Sequence, residues 1–400
     1  MKAREQVPDA KGVSLRRVLL AAVLALPLSC SLAAPAQSPE ALLNQYFASF
    51  FADGGQASLP GFAVLVKKNG KPVYERGFGL RDLRGKARID AHSNFRLASC
   101  TKQFTAMAIM LLVHDGKLGY DEPLTAIFPE FPGYGRAITV RNLLQHTGGL
   151  PDYEDLMDAR EKGRATPLWT AEQQIQDGEV LQLLEKETRG KFAPGTRWDY
   201  SNSGYVVLGL IVAKRSGKPF GEFLHERIFA PLKMDHTRVY EKGKNQVTNR
   251  AYGHSLKDGV FAETDQSSTS ATLGDGGVYS NVSDLSKWDD ALREHTLLSE
   301  AEFAPALTPA MLPAGSENKL AEDTPASLHS VATAYGFGWF LDLAAPHPMV
   351  WHYGETIGFK TAILRYTRDN VTVILLCNRS DVDQGLLAQH AAAPFLAKVP

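Results

Sequence analysis

Two β-hairpin patterns, one near each end of the chain, constrain the fold more than any other feature of the sequence. Near the beginning, residues 62–66 and 73–76 flank an Asn69-Gly70 turn, and near the end, residues 361–366 and 371–376 flank a second short turn. Asn-Gly between apolar runs is a strong signal for a hairpin. Helical patterns lie outside both hairpins, which predicts one antiparallel sheet built from both chain ends and flanked by helices.

The middle of the chain has a different pattern. Helical periodicity dominates from Ser99 to about residue 265, and Pro- and Gly-containing loops interrupt it. The expected architecture is therefore an α+β fold with three layers, α/β/α, in which a mostly helical insertion interrupts the sheet. The predicted sheet region covers about 37–98 and 266–400, and the predicted helical region covers about 99–265.

The first 36 residues have the pattern of a signal peptide. Arg16-Arg17 precede an apolar run at 18–28, and Ala34-Pro35-Ala36 supplies the small residues of a cleavage site. The run is too short for a stable membrane anchor, so we expect cleavage after Ala36 and a periplasmic or secreted catalytic domain at 37–400. A lipid-bearing Cys30 is an alternative, and the choice between Sec and twin-arginine export stays open.

Composition narrows the possible partners. The 43 Lys and Arg nearly cancel the 44 Asp and Glu, so the sequence gives no indication of nucleic-acid binding. After cleavage only Cys100 and Cys377 remain, and two cysteines do not make a disulfide framework. These counts leave the substrate open.

Ser99-x-x-Lys102 is the first candidate catalytic motif. Residues three apart share a helix face, so the Ser99 hydroxyl and the Lys102 amine can meet. The apolar positions Cys100, Phe104 and Met107 predict that a helix follows. A serine beside a proton acceptor is an activated nucleophile, although a serine that merely caps the helix is the alternative.

Two further motifs follow in the chain. Tyr200-x-Asn202 lies before a predicted helix, where a tyrosine can act as a proton shuttle and Asn202 can aim its amide at substrate or lysine. His352-x-Gly354 lies on a predicted strand, where we expect the backbone to line a cleft and Gly354 to let a substrate approach. The N–H of Glu355 is a candidate oxyanion donor.

Three similar patterns are interpreted as structural. Ser316-Glu317-Asn318-Lys319 lies among Pro and Gly residues and is predicted to be a loop. Tyr279-Ser280-Asn281 is typical of a strand that leads into a helix cap. His146-Thr147-Gly148-Gly149 ends a helical run and is predicted to be a turn.

Ser-x-x-Lys, Tyr-x-Asn and His-x-Gly in this order resemble the serine β-lactamase and penicillin-binding-protein superfamily, and most closely its class C β-lactamase-like branch. The resemblance covers about residues 40–395. It implies Ser99 as the nucleophile, Lys102 and Tyr200 as the proton-transfer pair, and Asn202 as an orienting amide. It also implies an oxyanion hole made by the N–H groups of Ser99 and Glu355. A small-molecule or peptide substrate and a reaction without metal or cofactor are implied as well.

One departure from the family pattern bears on the substrate. Many members carry Lys-Thr-Gly where this chain has His352-Tyr353-Gly354, followed by Glu355. Losing a cation and gaining a carboxylate disfavours anionic substrates, so we expect weak β-lactam hydrolysis and a preference for neutral or amine-bearing esters and amides. The alternatives are a true β-lactamase, a D-alanyl-D-alanine carboxypeptidase, and a sensor that acylates slowly without turnover.

Overall fold

The two terminal hairpins join edge to edge in one sheet of the computed structural model, which describes residues 37–316, 318–319, 324–328 and 334–398. The predicted signal peptide, 1–36, lies outside these residues. The strands are β1 (Phe62–Lys68), β2 (Lys71–Phe78), β3 (Leu80–Asp82), β4 (Ala87–Arg88), β5 (Phe95–Arg96), β6 (Trp198–Asp199), β7 (Arg238–Val239), β8 (His254–Lys257), β9 (Val260–Glu263), β10 (Val278–Ser280), β11 (Asn318–Lys319), β12 (Ala334–Tyr335), β13 (Phe340–Asp342), β14 (Met349–Thr356), β15 (Phe359–Tyr366) and β16 (Val371–Cys377).

The α-helices lie mostly between the two halves of the sheet. They are α1 (Pro39–Ala48), α2 (Lys102–His114), α3 (Leu124–Ile127), α4 (Val140–Leu144), α5 (Tyr153–Glu161), α6 (Asp177–Glu185), α7 (Asn202–Ser216), α8 (Phe220–Leu224), α9 (Val282–Glu294), α10 (Glu300–Phe303) and α11 (Gln384–Ala392). All of them belong to one unit, Pro39–Pro400. None of the helices that the structure describes is long and apolar enough to cross a membrane.

The large sheet has the strand order β12-β13-β14-β15-β16-β1-β2 and is antiparallel. β1 pairs with β16 along its whole length, from Phe62 opposite Cys377 to Lys68 opposite Val371. Every residue of β16 is buried, so both sheet faces are covered, because successive side chains point to opposite faces. The predicted fold class, an antiparallel sheet made from both chain ends between helical layers, is confirmed.

The Asn69-Gly70 turn forms as its sequence predicts. Asn69 has φ 51° and Gly70 has φ 74°, the left-handed conformation that a two-residue hairpin turn requires at both positions. The N–H of Asn69 donates to the carbonyl of Asn370 at 2.8 Å. The turns of the first and last hairpins are therefore joined directly.

Helix α2 is more deeply buried than the apolar stripe predicted. All residues from Lys102 to Leu112 are buried, so the helix runs through the core rather than along its surface, and α7 packs against it. The region 99–265 also contains a β-hairpin formed by β8 and β9. Burying a lysine at the start of α2 is costly unless partners satisfy its charge, and those partners define the candidate active site.

Candidate active site

Ser99 lies in a short 3-10 turn, Ala98–Thr101, directly before α2. Ala98 has φ 47°, the left-handed region that residues with a side chain rarely adopt. Thr101 ties the turn to β10, because its hydroxyl accepts a hydrogen bond from the N–H of Val278 at 3.1 Å. Strained backbone held by surrounding contacts is common at functional sites, and here it presents the partly exposed Ser99 at the start of the helix.

Lys102 points its amine at Ser99 from within the core. The side chain is fully buried, and Nζ lies 3.0 Å from Ser99 Oγ, 2.8 Å from Asn202 Oδ1 and 3.1 Å from the carbonyl oxygen of Asp275. An ammonium can donate to all three. A neutral amine can donate to Asn202 and Asp275 and accept the Ser99 hydroxyl proton. This geometry suits both protonation states of a general base.

Tyr200 and Asn202 lie where β6 passes into α7. The Ser201 hydroxyl caps α7 by accepting the N–H of Gly204 at 3.1 Å. This cap places Asn202 in the first turn of the helix, within reach of Lys102. The centre of the Tyr200 ring lies 4.9 Å from Lys102 Nζ. Tyr200 and Asn202, which belong to one predicted motif about 100 positions beyond Lys102, therefore meet Lys102 in space.

His352 does not line the cleft as predicted. It is fully buried in β14, its Nδ1 lies 2.6 Å from the carbonyl oxygen of Tyr353, and its Nε2 lies 2.9 Å from Tyr335 Oη. Nδ1 must donate to the carbonyl, so Nε2 accepts from the tyrosine. Burial and the nearby Lys102 charge lower the pKa of His352 to about 3, against the opposing effect of the Tyr353 hydrogen bond. His352 is therefore a neutral residue behind Lys102.

Gly354 has a different role from the predicted approach of substrate. A Cβ atom there would lie 2.1 Å from the carbonyl oxygen of Leu97 and 2.4 Å from Thr361 Oγ1. The space above Gly354 is thus filled by the backbone that leads into the Ser99 turn. The Thr361 hydroxyl donates to the same Leu97 carbonyl at 2.9 Å, so β14 and β15 together hold the nucleophile's turn.

Glu355 lies at the cleft, but its charge is not unopposed. Lys360 is its cross-strand partner on β15, and the lysine Nζ lies 2.9 Å from Glu355 Oε1. The expectation that Glu355 adds an uncompensated negative charge to the site is therefore wrong. The negative character of the cleft comes from other residues, which the sequence motifs did not indicate.

A cavity of about 690 Å³ opens beside Ser99, Tyr200 and Asn202. Five carboxylates and one ammonium line it: Asp152, Glu154, Asp155, Asp199, Glu355 and Lys191. Lys191 Nζ pairs with Asp199 Oδ2 at 3.0 Å. Asp152 caps α5 by accepting the N–H of Glu154 at 2.8 Å. The first turn of α5 therefore gives the cleft a negative rim.

The structure agrees with the predicted strand and helix cap at 279–281 and with the predicted turn at His146, but it differs from the predicted loop at 316–319. Tyr279 and Ser280 belong to β10, and the Asn281 side chain caps α9 by accepting the N–H of Asp284 at 2.8 Å. Asn318–Lys319 forms a short strand beside β6, and the intervening Glu317 lies outside the described residues. His146 forms the predicted turn with φ 57°, but its ring also reaches the site, which the motif analysis did not anticipate.

Cys100 points away from the site despite following Ser99. It is fully buried, and burial raises its thiol pKa to about 12, against the smaller lowering effects of Thr361 and Lys102. Cys100 and Cys377 are both free. Within the described ranges no cluster of His, Cys, Asp and Glu is suited to a metal ion.

A sheet from both chain ends, a buried lysine bonded to a serine at the start of a core helix, and a nearby tyrosine define the class of penicillin-recognising serine hydrolases. Comparison with known proteins agrees with this class. The Beta-lactamase family model matches residues 43–394. The chain belongs to the beta-lactamase family and is a serine hydrolase of the β-lactamase and penicillin-binding-protein superfamily, which confirms the resemblance seen in its motifs.

Relatives by sequence include penicillin-binding protein 4* of Bacillus subtilis, 32% identical over 345 residues that cover 82% of this chain and 71% of that protein. Protein flp of Staphylococcus aureus strain N315 is 24% identical over 343 residues, which cover 83% of this chain. The chain spans only 62% of the length of that relative.

Solved structures show the same fold. The octameric penicillin-binding protein homologue from Pyrococcus abyssi has a TM-score of 0.70 and 25% identity, and the match covers 88% of this chain and 76% of that one. The D-amino acid amidase from Ochrobactrum anthropi SV3 has a TM-score of 0.66 and 25% identity, and covers 89% of this chain and 98% of its own.

Proposed function

We propose that the chain hydrolyses an ester or amide bond through an acyl-Ser99 intermediate. The observation that carries this proposal is the contact of 3.0 Å between Ser99 Oγ and the buried Lys102 Nζ. Desolvation favours the neutral form of a lysine, and the neutral amine can take the hydroxyl proton as oxygen attacks the carbonyl carbon. Tyr200, beside the same amine, gives its phenol proton to the leaving group and takes a proton back from the Lys102 ammonium. A water molecule then attacks the acyl-Ser99 carbonyl in the same way and releases the acyl group.

The oxyanion of each tetrahedral intermediate would lie near the N–H groups of Ser99 and Glu355. These two amides belong to the turn before α2 and to β14, which meet at Gly354. Pre-oriented donors of this kind are worth about 10² to 10³ in rate for each donor. The amide oxygen of Asn202 accepts a hydrogen bond from Lys102 Nζ, and this bond keeps the amine directed at Ser99.

The charge of the cleft supports a substrate that carries an ammonium group. Carboxylates in the first turn of α5 attract a cation and repel the carboxylate that penicillins carry. The D-amino acid amidase that shares this fold was crystallised with D-phenylalanine, a ligand with a free amine. Weak β-lactam hydrolysis is expected for the same electrostatic reason. Export to the periplasm or medium belongs to this proposal as well, on the pattern of residues 1–36.

Intact-protein mass after brief incubation tests the covalent step. D-phenylalanine p-nitroanilide carries an ammonium group, its N-acetyl derivative replaces that group with a neutral amide, and benzylpenicillin adds an anionic substrate. We expect an acyl adduct on wild type and none on Ser99→Ala, with turnover fastest for the free amine. Equal acylation of Ser99→Ala would remove the proposed nucleophile. A stoichiometric adduct that does not decay over hours would replace the hydrolase with a sensor.

A pair of variants tests the role of the negative rim that the first turn of α5 gives the cleft. Asp155→Asn removes a carboxylate that lines the cleft, whereas Asp158→Asn removes an exposed one from the same helix outside it. A unit charge about 8 Å away in a partly screened site contributes about 0.5–1 kcal/mol. We expect the preference for the free amine to fall about two- to fivefold in Asp155→Asn and to stay unchanged in Asp158→Asn. Equal effects of the two variants would contradict the proposed charge selection.

A further inference from the structure

His146 is hydrogen-bonded to the peptide groups on both sides of Tyr200. Its carbonyl oxygen accepts the N–H of Asp199 at 3.0 Å, and its Nδ1 accepts the N–H of Ser201 at 3.1 Å. The centres of the His146 and Tyr200 rings are 4.3 Å apart. We propose that His146 is a positioning residue that holds Tyr200 at Lys102 through these two hydrogen bonds and the ring contact.

This inference rests on the proposed function, since it assumes that Tyr200 transfers a proton. The strand that leads into Tyr200 is short. β6 is two residues long, and its partner strand β11 is equally short. Tyr200 then stands between the end of this strand and the cap of α7. Two further hydrogen bonds from one residue restrict the backbone on either side of the phenol, and this restriction fixes the distance to Lys102.

The protonation state of His146 follows from its partners. Because Nδ1 accepts an N–H, the ring proton must be on Nε2, and a second proton on Nδ1 would oppose the Ser201 N–H. Burial first, and then the charge of Lys102, hold the pKa of His146 well below its usual range. The positive charge of Lys102 would repel a second proton on the His146 ring. The bond to Ser201 is therefore present across the pH range in which a hydrolase works.

The backbone of His146 supports a role beyond filling space. With φ 57° it adopts a conformation that is uncommon for histidine, and the residue is 1% exposed. This conformation directs both its carbonyl and its ring toward the Tyr200 segment. A residue that only filled the core would not need an acceptor at the ring position that meets the Ser201 N–H. The titratable groups that face its ring are Lys102, Tyr200, Tyr205, Tyr335 and His352.

Two substitutions separate the hydrogen bond from the packing. His146→Phe keeps an aromatic ring but removes the acceptor, so the Ser201 N–H loses its partner. His146→Asn keeps an acceptor where Nδ1 lies and tolerates positive φ, but gives up the ring. Pre-steady-state release of p-nitroaniline or p-nitrophenol measures the acylation rate constant, and thermal unfolding of each variant measures stability.

We expect acylation by His146→Phe to fall about 100-fold with KM little changed, because a displacement of about 1 Å at a reacting group costs about that factor. His146→Asn is expected to stay within about fivefold of wild type despite a lower Tm. The limb of the pH profile that reports the Lys102 and Tyr200 pair moves to higher pH in His146→Phe, because a displaced phenol loses the neighbouring ammonium.

A fully active His146→Phe would overturn the inference. Acylation rates that follow the Tm of the variants, rather than the presence of a hydrogen-bond acceptor at residue 146, would also overturn it. An unchanged pH profile in a slowed His146→Phe would also overturn it, since that result means simple loss of folded enzyme. Wild type and Ser99→Ala are run beside the variants. If wild type forms no acyl adduct, the proposed function fails. If it does and His146→Phe is unimpaired, only the role of His146 fails.

Discussion

Replacing Gly354 by alanine tests how tightly the sheet holds the nucleophile. The added Cβ would lie 2.1 Å from the Leu97 carbonyl oxygen, about 0.9 Å inside the 3.0 Å that real Cβ contacts essentially never cross. The carbonyl cannot rotate away freely, since it accepts hydrogen bonds from the Thr361 hydroxyl at 2.9 Å and from the Cys100 N–H at 3.2 Å. The strain must therefore move β14 or the turn that carries Ser99.

The magnitude follows from this displacement. Misplacing a reacting group by about 1 Å costs about 100-fold in rate, and overpacking a well-packed core costs about 1–3 kcal/mol. We expect kcat/KM of Gly354→Ala to fall about 100-fold and the free energy of unfolding to fall by about 1–3 kcal/mol. Steady-state hydrolysis of a p-nitrophenyl ester and urea denaturation measure the two quantities.

Gly133→Ala is the matched control, because a Cβ at Gly133 meets no atom within 4 Å and the residue lacks a left-handed φ. It should leave kcat/KM unchanged and stability within about 0.5 kcal/mol of wild type, as is usual for a surface substitution. A Gly354→Ala protein with kcat/KM within threefold of wild type would refute the reasoning. That result would mean that the Ser99 turn can shift without loss of catalytic geometry.

The remaining predictions concern a buried ion network and a buried thiol. Lys67, 1% exposed, contacts Asp289 Oδ2 at 3.1 Å, and Arg365 contacts Oδ1 of the same carboxylate at 2.9 Å. Lys67→Met should lower the free energy of unfolding by about 3–5 kcal/mol, as measured by urea denaturation at pH 7. A decrease of less than about 1 kcal/mol would contradict this. Burial by itself raises the pKa of Asp289, but the charges of Arg365 and Lys67 lower it by more, so the pKa lies below its usual value. Its stabilisation is therefore present above the unfolded pKa of about 3.9 and is lost as pH falls through the folded pKa, so the stability gap between wild type and Asp289→Asn should shrink below about pH 4. Finally, a Cys30→Ser protein should show no thiol reaction with Ellman's reagent at pH 8 until urea unfolds it, because Cys100 and Cys377 are buried; rapid labelling of the native protein would show that one of them is accessible.

The pairing of Ser99 with Lys102 could be predicted because their relation is local. Three residues of helix bring Ser99 and Lys102 together whatever the rest of the chain does. The hairpins are local too, since Asn69-Gly70 specifies its own turn. A sheet made from both ends of the chain followed from the two hairpin patterns and the helical stretch between them.

The partners of the lysine required the tertiary structure. Asn202 and the Asp275 carbonyl meet Lys102 from 100 and 173 positions away, and an asparagine motif alone does not show where its amide points. His352 was expected on a strand whose backbone lines the cleft, but the fold turns its ring into the core, where it is fully buried. Alternation predicts two faces and leaves open which one is buried.

The sequence alone determined the pairing of Ser99 with Lys102, the terminal hairpins and the family, because each depends on contacts within a few residues or on motif order. Tertiary structure decided the pairing of Glu355 with Lys360, the packing of Gly354 on the Leu97 carbonyl, the acidic rim of α5 and the contact of His146 with Tyr200. These depend on segments far apart in the chain, which only the packed core brings into register.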